Sequence, residues 1–346
     1  MFESFNGPVE VRDLADPEPP EGGVVVKVHA TGLCRSDWHA WAGHDAGVRL
    51  PHVPGHELCG VIAGTGLGVT RWRAGDRVTA PFVCGCGRCE WCLSGQSQVC
   101  PEQTQPGFTH WGSFAEYVVL HAADTNLVEV PSGVTDGAAA SLGCRFATSY
   151  RALTGRAALR EGEWLTVIGA GGVGLSAVMI GVALGARVIA VDNNPRSLEL
   201  AAELGAEQTV IAPAGGATDV PGVVHDLTGG GSHVALDAVG SDSTCSESIL
   251  SLRRHGRHVQ VGLLPSVEGL PSVPMERVIA WELDVLGSHG MSSTDYPALL
   301  ALVEAGSLAP ADLVGRVVDL DEAARLLPLM GSASPVGMTM LDPRRA

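Results

Sequence analysis

The sequence is poor in positive charge and has no long uninterrupted apolar run. It carries 22 Lys and Arg against 38 Asp and Glu among 346 residues, a formal net charge of −16 at pH 7. No basic stripe offsets this locally, which argues against a nucleic-acid surface. The acidity instead suits a protein that keeps apart from its neighbours by repulsion. No stretch reaches the roughly 18 apolar residues of a membrane span. The longest apolar region, Trp164 to Val191, is broken by Gly169, Gly171, Gly172, Gly174, Gly181 and Gly185. Residues Met1 to Glu10 carry neither the basic nor the apolar region of a signal peptide, so a cytoplasmic chain is expected. No internal repeat or low-complexity tract is found. The 45 glycines, nearly twice the usual share of about 7%, follow no Gly-X-Y period, which excludes collagen.

What is present points to folded domains. Hydrophobic residues make up 45% and charged residues 17%, ample for a core. At about 150 residues per domain the length suggests two. The first 150 residues hold short strand-like segments at Glu10–Leu14, Val24–Ala30, Leu58–Gly64 and Asp76–Phe82, separated by Gly and Pro. From Trp164 the pattern alternates strand and helix. Strands are predicted at 164–169, 187–192, 208–212, 234–239, 258–264 and 284–289, with helices at 172–185 and 195–205. That alternation argues for a parallel sheet with helices on both faces. Helical patterns at 296–306 and 320–330 and a final strand at 337–342 follow.

Gly169-Ala170-Gly171-Gly172-Val173-Gly174 fits G-x-G-x-x-G, and it follows an apolar strand and opens a helix, the context that gives the pattern meaning. Gly169 permits a tight turn, Gly171 lets backbone approach a pyrophosphate, and Gly174 lets the helix pack on the strand. The helix N-terminus then offers free N–H groups to phosphates. Asp192 ends the next strand, 18 residues after Gly174. A carboxylate there holds ribose hydroxyls and repels a 2′-phosphate, which favours NAD over NADP. Asn193 adjoins it, and Arg196 is a mild argument the other way.

Nine cysteines in such a chain point to metal or catalysis rather than disulfides. Cys86, Cys89, Cys92 and Cys100 are spaced to give tetrahedral zinc four thiolates and no open position, a structural site organising a lobe at about 84–101. A ferredoxin-like iron–sulfur site is the rival reading. The spacing does not match the bacterial iron–sulfur run, although Cys100-Pro101 echoes its ending. Cys59, Cys84 and Cys245 read as small buried hydrophobes.

The segments GLCRSDWHAW and GHELCG, the four-cysteine lobe, LGCRFATSYRAL and GAGGVG resemble, in order and spacing, the zinc-dependent alcohol dehydrogenases of the medium-chain dehydrogenase/reductase family, over essentially the whole chain. The resemblance implies an α/β protein with two domains. One is a GroES-like β-rich catalytic domain, 1–147 and 287–346; the other is a doubly wound Rossmann domain, 148–286. It implies a catalytic zinc held by Cys34, His56 and Cys144 with the fourth position left for water or alcohol, hence two zinc ions per chain with NAD. It also implies that Asp37 orients the histidine ligand and that Glu57 is the carboxylate behind the metal, able in the family to approach it transiently. Ser36 and His39 match the family's proton relay, in which the proton of the zinc-bound alcohol passes to Ser36, through the nicotinamide ribose and on to His39 near solvent. Arg35 matches a pyrophosphate contact, and Thr148, Val239, Val261, Gly262 and Leu263 match the nicotinamide surroundings. Phe82 matches a wall of the substrate pocket, to which Trp38, Trp41 and Trp111 could add.

Cysteine at 144 points to the alcohol dehydrogenase branch rather than the polyol one. Arg145 departs from the small residue common after the third ligand, and its partner is not apparent from sequence. Pro335-Val336-Gly337-Met338 stands where many members have a pyrophosphate-binding arginine. The short loop from Cys100 to Trp111 resembles the compact bacterial form, so a homotetramer is expected, with a dimer second. Another zinc dehydrogenase of a polyol, amino alcohol or formaldehyde conjugate, and a non-catalytic zinc and nucleotide-binding protein, are the rival functions. His44, His52, His110 and His121 are among the histidines read as ordinary polar or core residues.

Overall fold

The computed structural model describes residues 1–213, 218–264, 272–332 and 335–345. It contains, in chain order, strands β1 (Val24–Leu33), β2 (Leu58–Thr65), β3 (Arg77–Thr79), β4 (Tyr117–Leu120), β5 (Val128–Glu129), β6 (Trp164–Ile168), β7 (Arg187–Asp192), β8 (Gln208–Ile211), β9 (Ser232–Asp237), β10 (Leu252–Gln260), β11 (Asp284–Gly287), β12 (Val314–Val318) and β13 (Met338–Leu341). Two compact units result: Met1–Ala147 with Gly290–Ala346, and Thr148–His289. The sequence placed the chain's return at 287. The division falls slightly later because β11 is still a strand of the second unit's sheet.

The first unit is built on a mixed seven-stranded sheet in the order β12-β13-β1-β2-β3-β5, with β4 also on β1. β1 is antiparallel to β13, β2 and β4. Sharing three neighbours, it is buried along nearly its whole length and shows no clean in–out alternation. Val24, Val26 and Val28 pack with Leu58, Ile62 and Leu120 in the core. The predicted strand at Glu10–Leu14 does not form. Among the described residues it pairs with no strand, and Arg12 instead folds back onto Glu3 and Glu10. Its apolar residues, Val11 and Leu14, are three apart and both exposed, and Pro17, Pro19 and Pro20 follow. β12 was not anticipated. Its segment, VGRVV, is short and buries only Val318, so periodicity gives little signal.

The second unit holds a six-stranded parallel sheet in the order β11-β10-β9-β6-β7-β8. Read from β8, this is the 3-2-1-4-5-6 order of a doubly wound fold, and its topological switch point lies between β6 and β9. The helix Gly172–Ala183 follows β6 and is buried along Gly174–Gly181. Gly169 sits at φ +92°, a conformation that excludes most side chains. A Cβ on Gly174 would collide with the Gly169 carbonyl oxygen, so the close helix–strand approach needs glycine there.

Candidate active site and metal centres

Three turns of the first unit converge on one buried point. Cys34 caps the helix Arg35–Trp41 at the end of β1. His56 follows Gly55, whose φ of +105° swings the chain into β2. Cys144 lies in a π-helical turn, Leu142–Phe146. One donor atom from each lies within 4.8 Å of the others. All three residues are buried.

Asp37, itself fully buried, ties two of these turns together. Its Oδ1 accepts from His56 Nδ1 at 2.9 Å and from the Gly55 amide at 3.0 Å, and its Oδ2 accepts from the Cys34 amide at 2.9 Å. With Nδ1 donating to Asp37, His56 turns Nε2 into the cluster, where it is buried and has no hydrogen-bond partner. Burial opposes a charge on His56, but Asp37 and Cys34 outweigh it and raise the imidazole's affinity for a proton well above the usual. Cys34 is shifted the other way. Hydrogen bonding with Cys144, against burial and helped by His56 and Arg145, holds it well below an ordinary thiol. An orphaned imidazole nitrogen and two thiols fit a zinc ion, with three protein donors leaving one position free.

Glu57, next in sequence, is buried against Arg145. The Arg145 Nε donates to both carboxylate oxygens at 3.0 Å, Nη2 donates to Oε2, and the Arg145 amide donates to Oε1 at 2.9 Å. Burial raises the Glu57 pKa, and Arg145 works against that rise. The partner missing from the sequence reading is therefore Glu57, 88 residues away.

Ser36 Oγ lies 3.8 Å from Cys34 Sγ. His39, on the same helix, is half-buried, and its Nδ1 is 2.9 Å from Nδ1 of exposed His44. Sequence reading treated His44 as an ordinary polar residue; nothing in its spacing signals a pair. Burial, then the neighbouring His44 and Arg35, lower the His39 pKa. Arg35 is exposed and stacks over Trp38 at 5.5 Å. Phe82 packs with Cys144 and sits 6.0 Å, ring to ring, from His56. Phe108, which sequence reading passed over, is closer at 5.1 Å. Trp41 belongs to a core cluster with Phe2 and Leu33. Trp111 donates to the Pro51 carbonyl and lines a separate hollow of about 830 Å³, whose lining includes none of Cys34, His56 or Cys144. Trp111 therefore lies away from the cluster, whereas Trp41 shares a core cluster with Phe108, a tertiary placement that spacing does not encode.

Cys86, Cys89, Cys92 and Cys100 also place their sulfurs within 4.8 Å of one another. Cys89 Sγ is 3.6 Å from that of Cys92 and 3.7 Å from that of Cys100. The Arg88 amide, then that of Cys89, draw the Cys86 pKa down to about 6, against burial. Asn126 secures the lobe's base, accepting from the Gly85 amide at 2.8 Å and donating to the Gly85 carbonyl at 2.9 Å. Four thiols and no open position fit a structural zinc.

In the second unit, Gly171, Gly172 and Val173 open the helix after β6. A Cβ on Gly171 would meet nothing within 4 Å, so that face of the turn is open. Asp192 ends β7 with Oδ2 accepting from the Ala170 amide at 2.5 Å and Oδ1 from the Asn194 amide at 2.7 Å. Asn193 and Arg196 are exposed beside it. Val239 and Leu263 are exposed, 51% and 61%, at the ends of β9 and β10, with Val261 and Gly262 between them in sequence and space. Asp237, unnoticed in the sequence, fixes this rim by accepting from the Val239 and Gly240 amides at 2.8 and 3.1 Å. The Thr148 hydroxyl is buried without a hydrogen-bond partner.

Comparison with known proteins agrees with this layout. Residues 20–132 match the alcohol dehydrogenase GroES-like domain, and residues 172–305 match the zinc-binding dehydrogenase domain. The chain is 36% identical over 310 residues, 89% of each chain, to an alcohol dehydrogenase of Geobacillus stearothermophilus. It superposes with TM-score 0.87 on a crystal structure of an NAD-dependent alcohol dehydrogenase, 31% identical, covering 99% of this chain and 98% of the other. A zinc-binding dehydrogenase from Sinorhizobium meliloti bound to NADP superposes at 0.86, 27% identical, covering 99% and 97%.

Proposed function

Since the chain belongs to the zinc-dependent alcohol dehydrogenases of the medium-chain dehydrogenase/reductase family, we propose that it reversibly oxidises an alcohol to an aldehyde or ketone with NAD as hydride acceptor. The observation that carries this reading is the buried Cys34–His56–Cys144 set with its unpartnered imidazole nitrogen. When bound there, zinc polarises the alcohol oxygen and lowers its pKa.

The chain's own residues do the rest. Asp37 fixes the His56 tautomer and ring. Ser36 would accept the proton leaving the substrate hydroxyl as it gives up its own, and the His39–His44 pair would release a proton towards solvent, the nicotinamide ribose bridging the two when the cofactor is bound. Phe82 and Phe108 supply an apolar wall that keeps water from the cluster. Cys86, Cys89, Cys92 and Cys100 hold a second, structural zinc. In the cofactor unit, the Gly169–Gly174 turn and the following helix N-terminus receive the pyrophosphate. Asp192 receives the adenosine ribose hydroxyls, and its charge would repel a 2′-phosphate.

A screen of primary, secondary and aromatic alcohols that follows NADH absorbance tests the reaction. No turnover across the panel with metal fully loaded would favour the non-catalytic alternative. For the cofactor, Asp192→Gly is expected to reduce the NAD-over-NADP ratio of kcat/KM. If the ratio stays put, Asp192 is not the ribose contact.

A further inference from the structure

Arg145 is the only Lys or Arg that is buried among the described residues. A buried ion pair is a poor source of stability, because desolvation offsets most of the Coulomb gain and apolar packing would serve the fold as well. What the pair does is occupy Glu57. Oε1 accepts from the Arg145 amide and Nε, and Oε2 accepts from Nε and Nη2. A carboxylate has about four acceptor sites, so little capacity remains. The chain is shaped for this contact. A Cβ on Gly32 would lie 2.7 Å from Arg145 Nη2 and 3.0 Å from Glu57 Cδ, so the missing side chain makes the room.

Without this clamp, a buried carboxylate one residue from His56 would be a competent zinc ligand. Yet Glu57 is not among the donors gathered within 4.8 Å of one another. We propose that Arg145 is a positioning residue that holds Glu57 out of the metal's coordination sphere, keeping the site at three protein donors and its fourth position open to the alcohol. The inference rests on the reading of Cys34, His56 and Cys144 as a metal centre.

The test uses holoenzyme with cobalt(II) in place of the exchangeable zinc, and reads its visible d–d bands together with binding of imidazole at the open position. Arg145→Lys keeps the buried charge, so folding does not hinge on a lone carboxylate, but an ammonium cannot grip both oxygens at once. The expected result is that Arg145→Lys shifts and weakens the bands as Glu57 joins the metal, and weakens imidazole about 10-fold. Arg145→Lys/Glu57→Gln should return both to wild type, and Glu57→Gln alone should leave the bands unmoved. Wild-type bands in Arg145→Lys, or failure of the double variant to restore them, would overturn the proposal. So would a band shift in Glu57→Gln, which would make Glu57 a ligand already. If the wild-type cluster takes up no cobalt, the metal reading fails first and the proposal with it.

Discussion

At the scale of single residues, Asp37 shows how one buried carboxylate sets a whole cluster. It accepts three hydrogen bonds, two from the backbone of the Cys34 and Gly55 turns and one from His56. Asp37→Asn replaces one of these oxygens with an amide that donates, facing another donor. The expected outcome is a zinc affinity about 10–100-fold lower, read by chelator competition on folded protein. Wild-type affinity would mean that the ring is held by packing alone. How much of this site was legible followed from sequence distance. Cys34, His56 and Cys144 lie 22 and 88 residues apart, so spacing could not join them, and only the resemblance did. The Glu57–Arg145 and His39–His44 pairs escaped both routes. The first depends on the tertiary approach of β1, β2 and the π-helical turn, and the second on a bend after the helix Arg35–Trp41.

At the scale of elements, short motifs were the most legible because each is a local closure. The cysteine lobe is one. Its helix Glu90–Leu93 buries no residue, and Trp91, Leu93 and Val99 stand 45%, 75% and 48% exposed. With no core of its own, the lobe depends on what its four sulfurs hold. Cys89→Ser is therefore expected to lose one metal equivalent while the Cys34 cluster keeps its own, and to open residues 86–100 to proteolysis. Metal analysis and limited digestion measure the two effects. Unchanged metal content with unchanged digestion would count against a structural metal. The glycine turn after β6 was legible for a related reason, since each glycine answers a local steric demand. Glu10–Leu14 was misread because a strand needs a neighbour, and β12, which pairs with β13, was missed. Period-two patterning cannot say whether a neighbour is present, and a short strand with one buried side chain hardly shows it.

At the scale of the whole molecule, acidity alone says little about how stability responds to pH; histidines that folding partly buries say more. His110 is the clearest case. Its Nε2 donates to the Val119 carbonyl at 3.1 Å and its ring meets His121 at 5.0 Å. Burial, then the neighbouring His121, push its pKa down to about 4, against the help of Val119. In the unfolded chain the same imidazole titrates near 6.5. The unfolded state thus takes up a proton first as pH falls. The stability linked to His110 is fully present above pH 6.5 and is lost as pH drops towards 4, about 3 kcal/mol in all at 1.36 kcal/mol per pKa unit. Acid also strips metal from thiolates, so a raw Tm–pH curve would mix two causes. Comparing wild type with His110→Gln separates them, because both lose metal alike and only wild type carries the titrating ring. The Tm gap between the two proteins should be constant from pH 8 to 7. Below pH 6.5 it should move steadily in the variant's favour. A gap that stays fixed down to pH 5 would mean that the ring takes its proton without unfolding, through water that reaches it in the native state.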